Sequence, residues 1–499
     1  MKKKTRLDLL IYIMLIISIT NAKSQIINCD LEINVLTSKS DSLVKADSTE
    51  NETNYTLLGI YPITITQTFN LSDYSRDSLI LHLENKSSFN QILSSFFFHN
   101  LSIFYQVTGS SILMPMNFSF NGDSIIIEEL YHTKKIILKY NYQSDFPMRN
   151  AGINTLYFMQ PQICDWHSYF FTCNNMKIKK IKFCIPDNQS YFFATQTRQI
   201  STGEYYTDIN EVKDNDISFY LLKKLYYDKI SINNKKVKIN IFLNKGVQID
   251  TNSLVVNHTF NQIERIQPKQ DLSSEYKQKV IGQVKKSQQK ITDFFNFKGR
   301  IELNIADADL YFSDKEGKKY VWGKTTQTSK DSYFITIDTT FWFTSDLTHE
   351  MIHAFIKEIP SPKDSTYFLF NESIVEYLAI CFNYEDTQKR DSVFNEKYRY
   401  YQSLNDSSLW LQHSIFDIKS NISLINGGYG GTSPLIYQKT PYYIHLFAKE
   451  IGEDNFFRFL KEFYSDVQKK KEINITNLKK TFNKNGISNN QWQNFINKL

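Results

Sequence analysis

Residues 344–353 read Thr-Ser-Asp-Leu-Thr-His-Glu-Met-Ile-His, and residues 371–377 read Asn-Glu-Ser-Ile-Val-Glu-Tyr. The first stretch contains H-E-x-x-H, at His349, Glu350 and His353. On a helix, residues i and i+4 share one face, about one turn apart. Two imidazoles so placed converge on one Zn2+, and the glutamate between them reaches the water on that metal. Catalytic zinc takes three protein ligands and keeps one position open, so a third ligand is needed. Glu372 is the candidate. It lies in a second apolar-periodic stretch, Phe368 to Phe382, beyond a loop holding Pro360 and Pro362. A helix–loop–helix over this span can fold back and present Glu372 to the histidines. A bare H-E-x-x-H arises by chance in roughly one chain in a hundred of this composition, so an amphipathic helix with two ordinary polar histidines is the competing account. The downstream carboxylate favours the metal.

Thr344 or Ser345 can N-cap this helix, with Asp346 in the first turn, where a carboxylate offsets the helix dipole. Pro360 ends it at the latest. Upstream, residues 236–243 look like a strand opening a new unit, and Ser273–Phe297 has helical character. Ile301–Ile305 and Tyr333–Asp338 alternate apolar and polar residues, as half-buried strands do. From Tyr367 onward the pattern is helical, with Gly452 and Gly486 at C-cap positions. Residues 26–230 differ. Ser124–Glu128, Lys135–Tyr142 and Lys177–Ile185 are β-branched and aromatic runs between Asn-, Asp- and Ser-rich turns. The expected fold is a multi-domain α+β chain. A β-sandwich-like domain spans 25–234, and a mixed, mainly helical catalytic domain spans 235–499.

The 499 residues are 41% hydrophobic and 15% aromatic, ample for large cores. Lys2, Lys3, Lys4 and Arg6 precede an apolar run from Leu9 to Ile19, and the small residues Ala22 and Ser24 follow. This is the layout of a secretory signal peptide over residues 1–24. The run is short for a spanning helix, so membrane association is expected only if the segment stays uncleaved. No Cys directly follows it, which argues against a lipoprotein. The formal charge is +6; residues 1–24 carry Lys2, Lys3, Lys4, Arg6 and Lys23 against Asp8, a net +4, which leaves +2. So near-neutral a mature chain gives no case for nucleic-acid binding. Export makes disulfides permissible among the five Cys, and Cys164–Cys173 and Cys173–Cys184 are both open. There is no C-x-x-C, and hence no sign of a Cys-based zinc site.

Eighteen residues, Ala354 to Asn371, separate His353 from Glu372. H-E-x-x-H, eighteen residues, then Asn-Glu with a Tyr five positions after the Glu resembles the aminopeptidase N-like gluzincin metallopeptidases. Tyr437-Gln438-Lys439 is similar to the Tyr-Glu-Lys segment that holds the family's catalytic Tyr, although Thr440 replaces the Gly that follows. Phe158 to Pro186 is similar to the end of the family's N-terminal β-domain. The resemblance covers residues 30–499 and is strongest over 315–465; the family's C-terminal helical-repeat domain has no counterpart. It implies a thermolysin-like catalytic domain, one zinc on His349, His353 and Glu372, Glu350 as general base, Tyr437 at the oxyanion, and peptide substrates.

One motif departs from the family. Gly317-Lys318-Lys319-Tyr320-Val321-Trp322-Gly323 stands where the family has Gly-x-Met-Glu-Asn followed by Trp-Gly. Tyr320 occupies the place of the Glu that grips the substrate's free amine, and a phenol cannot neutralise an ammonium. Tyr320 and Gly323 are thus expected at the substrate, without a firm demand for a free amino terminus. Asn371 and Glu376 are candidates to support the metal ligands; a solvated or salt-bridged role suits Glu376 equally well. His413, His445, His167 and Asp165 are expected to be structural, and Gly427–Gly431 a flexible connection rather than a phosphate loop. The function expected is that of an exported zinc metallopeptidase. The alternative is a non-catalytic relative that binds peptides or serves as a scaffold, but a scaffold has no physical need for Glu350 or Tyr437.

Overall fold

The computed structural model describes residues 27–35, 43–49, 52–57, 63–71, 78–82, 98–121, 124–128, 130, 132–142, 155–157, 171, 173, 176–184, 191–193, 198–201, 204–208, 220–223, 227–244, 272–307, 311–313, 319–321, 323–329, 331–337, 342–356, 366–404, 414–418, 434–470 and 473–499. The signal segment expected at 1–24, the candidates Cys164, Asp165, His167 and His413, and the loop Gly427–Gly431 lie outside them. No helix among the described residues is long and apolar enough to cross a membrane.

The chain divides into two compact units. The first, mainly Met1–Leu225, is built of strands. Its largest sheet has eight strands, with Ile27–Val35 paired antiparallel to Ile63–Asn70 and parallel to Met176–Cys184. Alternation is clean in Ile63–Asn70: Ile65, Gln67 and Phe69 are buried, and their neighbours are half-buried. One buried face per strand is what period-2 patterning dictates. The buried Gln67 amide is satisfied by the Phe171 backbone and by Tyr140 Oη, at 2.8–3.0 Å.

The second unit, mainly Tyr226–Gln248, Arg265–Gln327 and Asp331–Leu499, carries a five-stranded sheet. Its strands are β1 (Tyr227–Asn233), β2 (Val237–Asn244), β3 (Ile301–Asp307), β4 (Lys324–Ser329) and β5 (Ser332–Ile337), in the order β1-β2-β3-β5-β4. The sheet begins with β1, one strand ahead of residue 235, where the sequence places the start of this domain. β2, β3 and β5 run parallel. The alternation of β3 and β5 predicts half-buried strands, yet every residue of β5 is buried. Parallel strands are covered on both faces, so their polar positions must pair internally. They do: Asn240 Nδ2 donates to Asn304 Oδ1 at 2.9 Å, and Asn304 Nδ2 to Ser332 Oγ at 3.4 Å.

One sheet face packs on helices. Val237, Ile239, Ile301, Leu303 and Ile335 share a core with Val280, Val284 and Ile291 of α1 (Ser274–Phe295) and with Leu347 and Met351 of α2 (Ser345–Ile356). Ser273 N-caps α1, and Thr344 accepts from Asp346 N at 3.3 Å at the start of α2. A single π-helical turn, Leu369–Ser373, runs into α3 (Ile374–Asn383). Nine of the ten α3 residues are buried, so it is the central helix of the unit. Then follow α4 (Thr387–Ser403), a second π-helical turn at Leu435–Lys439, α5 (Thr440–Ile451), α6 (Glu453–Lys470), α7 (Ile475–Lys484) and α8 (Asn489–Lys498). Gly452 and Gly486 stand past the ends of α5 and α7 at φ +86° and +89°, a backbone region that favours glycine.

Candidate metal centre

The helical phase of α2 puts His349 and His353 on one face, and the turn into α3 brings Glu372 to them. His349 Nε2 and His353 Nε2 are 3.0 Å apart. Glu372 Oε2 lies 3.4 Å from the first and 3.5 Å from the second. Donors 2.0–2.1 Å from one tetrahedral zinc stand about 3.3 Å apart, so this triangle has the size such an ion requires. It is also the His/carboxylate cluster of metal-binding spacing found among the described residues.

The second nitrogen of His349 is fixed as well. Its Nδ1 lies 2.8 Å from Glu376 Oε2. A carboxylate only accepts, so Nδ1 carries a hydrogen, which leaves Nε2 as the nitrogen that would bind a metal. Glu376 Oε1 takes an ion pair from Lys397 Nζ of α4 at 2.7 Å. Burial pushes the Glu376 carboxyl up, but Lys397 and His349 outweigh it and hold the group at about 2. Glu372 is likewise pushed up by burial and drawn further down by His353 and His349, to below the ordinary carboxylate range. Burial pushes the His349 imidazole down; Glu372 and Glu376 reverse that and hold it well above its usual value. Three donors that crowd together and favour positive charge between them fit a divalent cation.

No family model and no curated protein matches the sequence. Solved structures do match. A glutamate-to-alanine variant of a two-domain M1 zinc metallopeptidase, bound to L-tryptophan, superposes with a TM-score of 0.50 at 9% identity, over 94% of this chain and 93% of that one. The aminopeptidase N family protein of Idiomarina loihiensis superposes with a TM-score of 0.55 at 11% identity, over 89% of this chain and 70% of that one. The fold is that of the M1 metallopeptidases.

Within this M1 fold the remaining candidates fall as follows. Tyr437 sits in the second π-helical turn, and its O–H donates to Glu372 Oε2 at 2.9 Å. The two π turns are tied together, since Ser373 Oγ donates to Ile436 O at 2.7 Å. π-helical turns occur frequently at functional sites, and here each carries one candidate residue, Glu372 or Tyr437. Glu350, on α2, is buried and accepts from Thr325 Oγ1 of β4 at 2.8 Å. Gly323, just before β4, faces it: a Cβ there would stand 2.6 Å from Glu350 Cγ. The placement gives Gly323 a reason that does not involve substrate, namely room for Glu350. Tyr320 lies in a short strand, Lys319–Val321, paired with Tyr311–Ser313; its side chain is outside the described residues. His445 is buried, with Nε2 2.7 Å from Asp391 Oδ1 and its ring stacked on Phe394 at 4.2 Å, a structural role.

Thr325 and Lys397 are the polar side chains that sequence reasoning missed. Thr325 lies two residues after Gly323, but which way β4 turns its side chains is not marked by any local pattern. Lys397 carries no motif, and only the packing of α4 brings it to Glu376.

Proposed function

We propose that this chain is an exported, zinc-dependent peptidase. The observation that carries the reading is the triangle of His349 Nε2, His353 Nε2 and Glu372 Oε2, all within 3.5 Å of one another, its two histidines on the helix that bears Glu350. These three residues would hold one zinc. Bound there, zinc supplies Lewis acidity toward a carbonyl oxygen and water. Glu350 takes the proton of the attacking water and delivers it to the leaving amine. Tyr437 donates to the developing oxyanion, a stronger acceptor than the Glu372 oxygen on which its O–H rests. Glu376 orients His349, and Lys397 holds Glu376. The substrates are peptides. Tyr320 stands where the family it resembles carries a carboxylate, and a phenol does not neutralise an ammonium, which supports a substrate preference without a strict need for a free amino terminus. The Lys2–Arg6 and Leu9–Ile19 segments support export.

The test is cleavage of a peptide library by the zinc-loaded mature protein and by its Glu350→Gln variant, with free and N-acetylated amino termini. We expect the variant to keep its zinc and to lose about 100- to 10,000-fold in kcat, and acetylation to cost little. Zinc binding with no cleavage by either form would reject the peptidase and favour a binding or scaffold protein.

A further inference from the structure

We propose that Thr325 is the positioning residue of the general base, fixing where the Glu350 carboxyl group points; the proposal rests on the peptidase reading above. Thr325 is buried in β4. Its Oγ1 lies 2.8 Å from Glu350 Oε2 and 2.6 Å from the Glu350 main-chain carbonyl oxygen. A hydroxyl has one hydrogen and two lone pairs, so it cannot donate fully to both acceptors at once.

That arrangement suits a group whose position decides whether it works. The Thr325 hydroxyl reaches both the side chain and the main chain of Glu350, so it ties the carboxyl group to the helix that carries His349 and His353. With a methyl in place of the hydroxyl, Oε2 would lose this partner and the carboxyl group its tie to β4.

Shape supports the same assignment. Gly323, two residues before Thr325 and just ahead of the strand, also borders the carboxylate: a Cβ there would meet Glu350 Oε1 at 2.9 Å. Thr325 bonds the carboxylate, and Gly323 makes room for it.

Thr325→Val keeps the shape and removes the hydroxyl; Thr325→Ser keeps the hydroxyl. Both are assayed zinc-loaded, and crystal structures of both are solved. We expect Thr325→Val to lose about 10- to 100-fold in kcat, with KM and zinc content unchanged, and Thr325→Ser to recover most of that loss. In the crystal of Thr325→Val the Glu350 carboxylate should have left its place. Wild-type kcat in Thr325→Val, equal losses in both variants, or an unmoved carboxylate would overturn the proposal. Should wild-type protein cleave nothing, the peptidase reading fails, and the crystal comparison alone still decides whether Thr325 holds Glu350.

Discussion

Gly323 and Glu350 share a space that admits one side chain. A methyl at 323 would sit 2.6 Å from Glu350 Cγ, closer than carbon atoms approach, so the glutamate rather than the backbone would give way. Misplacing a catalytic group by about 1 Å costs on the order of 100-fold. Gly323→Ala is therefore expected to lower kcat about 100-fold while zinc content stays at wild type, and steady-state kinetics with metal analysis checks both. Single residues were readable from sequence where spacing constrains them. His349 and His353 are one helical turn apart, and Glu372 lies in the next apolar stretch. Thr325 and Lys397 were not readable, because each acts through tertiary packing and no local pattern marks it. Gly323 was marked by motif as a substrate contact, and the structure adds a neighbour that the motif did not name, Glu350.

At the scale of elements, α2, α3 and α4 form a chain of support behind the histidines. Lys397 of α4 pairs with Glu376 of α3, and Glu376 meets His349 of α2. Glu376 is 8% exposed and Lys397 22%, so the pair is largely shielded from water. Removing one partner strands the other charge. Lys397→Met is expected to destabilise the second unit by about 3 kcal/mol, measured by urea unfolding, and Lys397→Arg by less. A change under about 0.5 kcal/mol would show that water already solvates Glu376. Helix positions followed from the 3.6-residue period, and the glycines past the helix ends at Gly452 and Gly486 from residue type. The two π-helical turns did not, because an extra residue in a turn leaves no mark on composition; the lock between Ser373 and Ile436 is what holds them.

At the scale of the molecule, the sequence separated a strand-rich first part from a mixed second part, and the two compact units follow that division. It did not show that β3 and β5 are covered on both faces. Alternation marks a half-buried strand only when one face is solvated, and here Asn240, Asn304 and Ser332 satisfy each other inside. The fold is shared with M1 metallopeptidases at 9–11% identity. The metal should matter to folding as well as to chemistry, since it binds a site absent from the unfolded chain. Free zinc at 100 times its Kd is expected to stabilise the second unit by about 2.7 kcal/mol, lost on chelation, with thermal unfolding as the readout.

The most direct measurement is metal stoichiometry combined with zinc-edge X-ray absorption on the purified protein. The account predicts one zinc per chain, with two imidazole nitrogens at about 2.0–2.1 Å and oxygen completing the shell. A chain that binds no zinc, or a shell built of sulfur, would contradict it.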